Sequence, residues 1–244
     1  PGLAVVACLV ALAFPVLFLL RYGQIRIMER AEGDPHEPTW LLFVAITSFL
    51  AVFLGFAMGM VNYKVNTEGY YDYEELAHYE SVDPSATGGG AYMDAATIKF
   101  IDGSHLDLTR SMGFHNEHTY CVAPITVGDT PLASYDFWAV GIDCCSGFPG
   151  DFGCFDPLRY LSVRPVQSGR RWLRPDADRA NFLVAVEQAQ TQFGFISRHP
   201  LFLVWEQSPR AYILSYFDMG VKSCLAASIA FFLFQCAAVG MTLL

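Results

Sequence analysis

Three long segments of this chain are almost entirely apolar: Leu3 to Leu20, Trp40 to Val61 and Val221 to Leu244. They contain 18, 22 and 24 residues, and Lys222 is the one charged residue among them. An α-helix needs roughly 20 residues to cross the hydrocarbon core of a bilayer, which is about 30 Å thick. The sequence therefore predicts an integral membrane protein with three transmembrane helices.

The residues between the second and third apolar segments have the composition of a water-soluble domain. Asn62 to Asp218 contains glycine, proline, aspartate and arginine throughout, and it is long enough to form one compact core. We therefore expect two transmembrane helices in residues 1–61 (3–20 and 40–61), a domain at 62–218, and a third transmembrane helix within 219–244.

The inserted domain is predicted to be α+β. Tyr120 to Val127 and Tyr135 to Ile142 are rich in β-branched and aromatic residues and predict strands. Thr97 to Leu108 predicts a hairpin that turns at Asp102-Gly103. A helix is predicted from Asp176 to Phe193, and a second from Pro209 that leads into the last span. The apolar face of the first helix consists of Phe182, Leu183, Val186, Ala189 and Phe193.

Four of the seven cysteines lie close together in the domain, at Cys121, Cys144, Cys145 and Cys154. An even number of clustered cysteines in a translocated domain predicts two disulfides. Neighbouring cysteines bond to each other poorly because the bond strains the peptide between them. We therefore expect Cys144 and Cys145 to pair with Cys121 and Cys154, in an order that the sequence leaves open. Four buried free thiols are the alternative.

Small residues four positions apart mark one face of each of the last two spans. They are Gly55 and Gly59 in the second span, and Cys224 and Ser228 in the third. Such spacing lets helices approach closely in a membrane. The face can pack against the other spans of the same chain, or it can dock onto the helices of a larger membrane assembly.

Pigment or haem binding within the spans depends on a suitable axial ligand. All six histidines lie outside the three apolar segments, so a haem buried between the helices is not expected. Chlorophyll accepts weaker ligands, and Gln235 is the polar side chain deepest in the third span. A hydrogen bond from Gln235 to a neighbouring helix is the alternative, which the residue type favours.

Charge distribution bears on orientation and on partners. The loop between the first two spans carries Arg21, Arg26 and Arg30, which favours the untranslocated side for this loop and the opposite side for the large domain. Residues 68–156 contain 15 acidic residues against Lys99 and Arg110. Such an acidic surface can steer charged protein partners, whereas nucleic-acid binding requires a basic patch and is not expected.

Catalytic and metal-binding patterns are weak in this chain. His105, Asp107, His115, Glu117 and His118 could supply metal ligands, but their spacing matches no standard zinc signature, and solvated loop histidines are the favoured interpretation. The Gly88-Gly89-Gly90 segment lacks the lysine of a phosphate-binding loop and is interpreted as a flexible connection. We therefore predict a protein that is not an enzyme.

Several longer strings of residues carry a family resemblance that covers about four fifths of the chain. The strings are Trp-Leu-Leu-Phe-Val-Ala-Ile-Thr-Ser-Phe-Leu-Ala at 40–51, Ser-Val-Asp-Pro-Ser at 81–85, Gly-Ser-His-Leu-Asp-Leu at 103–108, Tyr-Cys-Val-Ala-Pro-Ile at 120–125, Tyr-Asp-Phe-Trp-Ala-Val-Gly at 135–141 and His-Pro-Leu-Phe at 199–202. With them the chain resembles a large family of three-span transmembrane proteins from dinoflagellate algae, which brings a topology but no established activity.

The resemblance implies a photosynthetic protist. It suggests a non-catalytic accessory subunit of a thylakoid complex in the chloroplast, namely photosystem I with its light-harvesting antenna. The expected partners are core and antenna proteins, with chlorophyll or carotenoid at the helix interfaces and the disulfide-bonded domain in the thylakoid lumen. The alternative is a receptor-like protein of the secretory pathway or plasma membrane whose domain binds a ligand. A metal-dependent ectoenzyme built on the histidines is a third hypothesis.

Overall fold

The computed structural model describes residues 13, 15–28, 39–154, 166–173 and 176–242. The chain divides into two compact units, Pro1–Gly69 with Tyr216–Leu244, and Tyr70–Ser215. The second unit is a mixed sheet with helices, which confirms the predicted α+β class. Its bounds lie a few residues inside the predicted domain, because helical structure continues beyond the second apolar segment as far as Glu74.

Besides the helical residues 15–28, the described structure contains four α-helices and eight strands. In chain order they are α1 (Thr39–Asn62), a π-helical turn (Tyr63–Thr67), α2 (Glu68–Glu74), β1 (Ala77–Val82), a 3-10 turn (Gly89–Tyr92), β2 (Ala95–Phe100), β3 (Ser104–Leu106), a 3-10 turn (Leu108–Arg110), β4 (Met112–Asn116), β5 (His118–Val127), β6 (Phe137–Ile142), β7 (Ser168–Arg171), α3 (Asp176–Phe193), β8 (Leu201–Trp205) and α4 (Pro209–Thr242).

Two of the described helices are long and apolar enough to cross a membrane, Trp40–Glu74 and Pro209–Gly240. The 34 residues of α4 correspond to about 51 Å of helix at about 1.5 Å per residue. Helix α4 runs without a break from Pro209, which confirms the prediction that a helix leads into the last apolar segment. The predicted first span, Leu3 to Leu20, lies mostly outside the described residues.

The sheet of the second unit has the strand order β1-β2-β7-β8-β6-β5-β3, with β4 paired to β5. Strands β1 and β2 are parallel, as are β6 and β8, and the other neighbours are antiparallel. The strands predicted at 120–127 and 135–142 are present as β5 and β6, so these two predictions are confirmed within two residues at each end.

The predicted hairpin at Thr97 to Leu108 is wrong. Strand β2 pairs with β1 on one side and β7 on the other, whereas β3 pairs with β5. Ile98 and Phe100 of β2 are buried. Strand β2 therefore lies inside the sheet, between β1 and β7, and not in an exposed hairpin. Asp102-Gly103 does redirect the chain, with Gly103 at a positive φ of 88°, but a turn does not decide which strands pair.

Both faces of the central strands are buried. On one face Tyr120, Val122, Trp138 and Val140 pack with α3, while on the other Cys121, Ala123, Phe137 and Ala139 pack with β2, β8 and Phe152. This alternation follows from the period of two along a strand. The bounds of α3 agree with the prediction, and its contacts with the sheet come from Phe182, Ala185, Val186 and Ala189, with Leu183 and Phe193 partly buried beside them.

Candidate functional site

The apolar side chains of α1 and α4 form an extensive exposed surface in the described structure. In the most apolar window of α4 none of the residues is buried, and in the corresponding window of the helix that contains α1 only 11% are. Phe53 and Phe56 on α1, and Phe232 and Phe234 on α4, are each exposed over about three fifths of their surface. Such a surface is unfavourable in water and indicates contact with lipid or with other apolar helices.

The two helices contact each other near the end of α1. The Asn62 side-chain amide donates a hydrogen bond of 2.9 Å to the carbonyl oxygen of Gly220, and Asn66 donates to the Asn62 side chain. A Cβ atom added to Gly220 would lie 2.3 Å from Cγ2 of Thr67. Glycine is therefore required at position 220 for the backbones to approach this closely.

The small residues expected to pack the helices lie away from this contact. Gly55 and Gly59 line an open groove on α1, and no atom of another described residue lies within 4 Å of a Cβ added to either. Cys224 and Ser228 are exposed on α4, and the Ser228 hydroxyl donates to the carbonyl oxygen of Cys224. Within the described residues, the contact between α1 and α4 is made elsewhere. A role of these four residues in docking other helices stays a prediction.

Gln235 is half-buried on α4 and is surrounded in sequence by apolar residues. Among the residues that the structure describes, no hydrogen bond of the Gln235 side chain is seen. The interhelical hydrogen bond and the pigment ligand therefore both stay predictions.

The four domain cysteines form two disulfides in one cluster, Cys121–Cys145 and Cys144–Cys154. Their Cα atoms are 5.9 Å and 5.0 Å apart, within the usual range for disulfides. This is one of the two outward pairings that the sequence left open. The sulfurs of Cys121, Cys144 and Cys154 lie within 4.8 Å of one another, but all three are bonded in disulfides and are not free to act as metal ligands.

Two glycines make room for this cluster. A Cβ atom added to Gly141 would lie 2.6 Å from the sulfur of Cys144 and 2.7 Å from that of Cys154. A Cβ atom added to Gly113 would lie 2.9 Å from the sulfur of Cys145. Because a disulfide sulfur cannot swing aside as the end of a flexible side chain can, both positions require glycine.

The histidines do not form one metal site. His105 is opposite Thr126 at one end of β5, whereas His115 is opposite Thr119 near the other end. Seven residues along a strand correspond to about 23 Å. His118 is exposed, and its Nδ1 lies 2.7 Å from the Asp143 carboxylate, so its contact is a hydrogen bond on the surface of the domain.

Asp143 connects the β4–β5 turn to the residues that follow β6. Its carboxylate accepts hydrogen bonds from the Thr119 amide at 2.8 Å and from His118. These two contacts, with the Thr119 amide the larger cause, lower the pKa of Asp143 below its ordinary value of 3.8. The backbone of Asp143 has a positive φ of 57° and that of Glu117 in the turn 61°, an unusual conformation for residues other than glycine.

Arg170 on β7 is the centre of a buried polar cluster that the sequence did not reveal. Its Nε donates to Glu206 at 2.8 Å, and its Nη1 donates to the Tyr73 hydroxyl at 2.6 Å. The guanidinium also lies 4.0 Å from the ring centroid of Tyr212. Burial lowers the pKa of Arg170, but Tyr73 and Glu206 outweigh this effect and raise the pKa above its ordinary value. No local pattern could identify this cluster, because its members come from three distant parts of the chain.

Asp136, which directly precedes β6, forms a second buried polar centre. It joins the 3-10 turn before β2 to the segment before β8. Its carboxylate accepts hydrogen bonds from the amides of Gly89 at 2.9 Å, Arg198 at 2.8 Å and His199 at 3.3 Å. A Cβ added to Gly89 would lie 2.2 Å from the carbonyl oxygen of His199. The triple-glycine segment is thus a closely packed 3-10 turn, and its interpretation as a flexible connection is wrong.

The polar clusters of the domain therefore hold its elements together, and their hydrogen bonds are directed at neighbouring protein groups. Comparisons of the chain with protein-family models, with curated proteins and with solved structures find no match.

Proposed function

We propose that this chain is a non-catalytic accessory subunit of a thylakoid photosynthetic complex, photosystem I with its light-harvesting antenna. In this proposal α1 and α4 pack against core or antenna helices, and the domain of Tyr70–Ser215 covers the lumenal face. The observation that carries the proposal is the apolar surface of the two helices, which is almost wholly exposed in the isolated chain. Lipid alone can cover it, but an accessory subunit uses such a surface to bind other helices.

The disulfides support an oxidising compartment for the domain. Disulfides persist in compartments such as the secretory pathway, the cell exterior and comparable lumenal spaces, and they are rare where thiols are kept reduced. The thylakoid lumen is proposed on the basis of the resemblance to dinoflagellate proteins. A receptor-like protein of the secretory pathway or plasma membrane would have the same disulfides, so localisation is the measurement that separates the two functions.

The internal use of the buried charges supports a structural role over a catalytic one. The carboxylate of Asp136 accepts three backbone hydrogen bonds, and Arg170 is paired with Glu206. A general acid or base needs a proton acceptor or donor directed at a substrate, whereas these groups are directed at the protein. At the membrane, Gln235 is proposed as an axial ligand for chlorophyll, and carotenoid is proposed at the helix interfaces.

The test is co-migration with chlorophyll. Thylakoids are solubilised in mild detergent and separated on a density gradient, and the full chain is followed with an antibody. The expected result is that it sediments with photosystem I and its antenna at a constant ratio across the peak. Antibody signal in chlorophyll-free fractions, or in plasma-membrane vesicles, would overturn the proposal and favour the receptor-like alternative. A gradient run after full denaturation controls for antibody that binds other proteins of the peak.

A further inference from the structure

The loop Ser146–Asp151, which we call the Phe148 loop, presents one aromatic side chain to solvent and is followed by another that is buried. Phe148 is 74% exposed, whereas Phe152, four residues further on, is 3% exposed and packs in the core. Single exposed apolar residues are common on protein surfaces, so the exposure alone indicates nothing. The disulfides and hydrogen bonds that hold the loop in place indicate a role for this exposed side chain.

The Phe148 loop is fastened at both ends. It follows Cys145, which is bonded to Cys121, and it precedes Cys154, which is bonded to Cys144. The Asp151 carboxylate accepts hydrogen bonds from the amide and the hydroxyl of Ser146, which closes the loop on itself.

Further contacts fix the shape of the loop. The Gly150 amide donates a hydrogen bond of 2.9 Å to the Ser111 hydroxyl, next to β4. Gly147 and Gly150 have positive φ values of 95° and 91°, and Pro149 between them restricts the backbone. A Cβ on Gly113 would lie only 2.6 Å from the Cα of Gly147. The loop therefore packs directly on β4, and Phe148 is held outward.

A rigid loop that holds a phenylalanine in water is suited to binding. An aromatic anchor that is already ordered loses little conformational entropy when it enters a pocket, so most of the free energy of burying its ring contributes to affinity. Anchors of this kind account for a large part of the binding free energy in protein interfaces. The two disulfides and Asp151 together provide this ordering.

The charge around the loop indicates what the partner surface is like. Residues 111–154 contain neither lysine nor arginine, and four of their five acidic residues are exposed. They are Glu117, Asp129, Asp143 and Asp151, whereas Asp136 is buried. Such a surface is repelled by anionic lipid headgroups, whereas it is attracted to a protein surface that carries lysine or arginine. The charge thus favours a protein pocket over a membrane surface as the site that receives Phe148.

We infer that Phe148 is an anchor residue that inserts into an apolar pocket of a partner protein whose rim carries lysine or arginine. The inference deepens the proposed function and rests on it, because it requires a stable partner in the same complex. It adds a second contact, made by the soluble domain, to the contacts proposed for α1 and α4.

The experiment replaces Phe148 in the full chain by p-benzoylphenylalanine, which is similar in shape and forms a covalent bond to its neighbours under ultraviolet light. The chain is assembled into the complex in mild detergent and irradiated. The expected result is one adduct with a single subunit, mapped to an apolar site next to lysine or arginine. Ile196, which is 54% exposed elsewhere on the domain, carries the same probe as a matched control and should give no adduct at that site.

A binding measurement complements the cross-link. F148A is expected to weaken binding of the full chain to the complex about tenfold or more, while I196A leaves binding unchanged. Added salt should weaken binding of the unaltered chain. Because Phe148 is exposed, F148A should keep both disulfides and the thermal stability of the domain, which excludes misfolding as the cause.

Three results would overturn the inference. They are an adduct with lipid only, an adduct with a second copy of the chain only, and equal binding of F148A and the unaltered chain. If the unaltered chain binds the complex and F148A binds equally well, the inference fails and the proposed function stands. If the unaltered chain binds no membrane complex, both fail.

Discussion

At the scale of single residues, Arg170 explains why a long charged side chain can be buried in this domain. The negative charge of Glu206 balances its positive charge, and its Nη1 donates a hydrogen bond to the Tyr73 hydroxyl. The guanidinium group also lies over the Tyr212 ring. Burying a charge without such partners is unfavourable by several kcal/mol. The cluster fastens α2 and the first turns of α4 to β7 and β8.

The first prediction concerns the loss of this charge. R170M leaves the Glu206 carboxylate, whose side chain is 9% exposed, without its cation, and we expect the free energy of unfolding to fall by about 3–5 kcal/mol. Denaturation of the chain in detergent, followed by tryptophan fluorescence, measures the change. The double variant R170M/E206M should recover a large part of the loss.

Arg210 provides the matched control for this prediction. Its ion pair with Glu74 is 3.4 Å long and its side chain is 57% exposed, so R210M should cost about 1 kcal/mol or less. Equal effects of R170M and R210M would show that the buried pair contributes no more than a surface pair.

The second prediction concerns Asp143 and acid. Its pKa in the folded chain lies below the ordinary value of 3.8, so the carboxylate stabilises the fold while it is ionised. This stabilisation is complete at neutral pH, begins to decline near pH 3.8, and is lost as the pH falls through the lower pKa of the folded state. The protection of the Thr119 amide against hydrogen exchange, measured relative to an unstructured peptide at the same pH, should therefore fall in this acid range. D143N should remove most of this pH dependence; an identical profile for D143N would assign the effect to another group.

At the scale of elements, strands β5 and β6 and the cysteine cluster depend on each other. Strand β5 contributes Cys121, the segment after β6 contributes Cys144 and Cys145, and Gly141 of β6 lies directly against the Cys144–Cys154 bridge. The Cys121–Cys145 bridge therefore ties the loop of residues 143–154 to β5, and the Cys144–Cys154 bridge closes that loop on itself. Together they position the Phe148 loop on β4.

The third prediction tests this fit. G141A would place a methyl group 2.6 Å from the Cys144 sulfur, so we expect either a loss of the Cys144–Cys154 bridge or a clear fall in thermal stability. Counting free thiols and measuring the melting temperature distinguish the two results. G59A is the control, because its added methyl group meets no atom of the described residues within 4 Å. Normal disulfides together with unchanged stability in G141A would contradict the packing described here.

The fourth prediction concerns the contact between α1 and α4. G220A would place its methyl group 2.3 Å from Cγ2 of Thr67, and we expect it to force the helices apart and to lower the thermal stability in detergent. T67S removes that methyl group and retains the hydroxyl that donates to the Tyr63 carbonyl oxygen. The double variant G220A/T67S should therefore regain the stability lost in G220A. A loss that T67S does not relieve would place the strain at another contact.

At the scale of the whole molecule, the chain combines a unit that is apolar on its surface with a unit that has two buried cores and two disulfides. The first unit contains the helices that are long enough to span a membrane. The second contains nearly all the buried polar contacts described above. This division is typical of a membrane-anchored domain in an oxidising compartment.

The fifth prediction tests the location and orientation given under the proposed function. The chain should stay in the membrane pellet after an alkaline carbonate wash, and its domain should withstand protease added to the outside of intact thylakoid vesicles. Opening the vesicles by sonication should make the domain accessible, which controls for intrinsic protease resistance. Digestion of the domain in intact vesicles would contradict the lumenal orientation, and release by carbonate would contradict membrane insertion.

The sequence by itself determined the features that depend on neighbouring residues. The apolar segments at 40–61 and 221–244, helix α3 and strands β5 and β6 all follow from local periodicity and length, because the hydrophobic effect and the repeat of each element act over adjacent turns or residues. The clustering of four cysteines likewise indicated two bridges before the structure showed which partners join.

Only the tertiary structure decided which distant residues meet. It placed β2 beside β7 rather than β3, paired Cys121 with Cys145, and brought Tyr73 and Glu206 to Arg170. It also buried Phe152 and exposed Phe148, although both lie in the same glycine-rich stretch. These outcomes depend on the packing of segments that are far apart in the chain. Many pairings of strands and cysteines are compatible with the local sequence pattern, and only the packing of the complete core favours one of them.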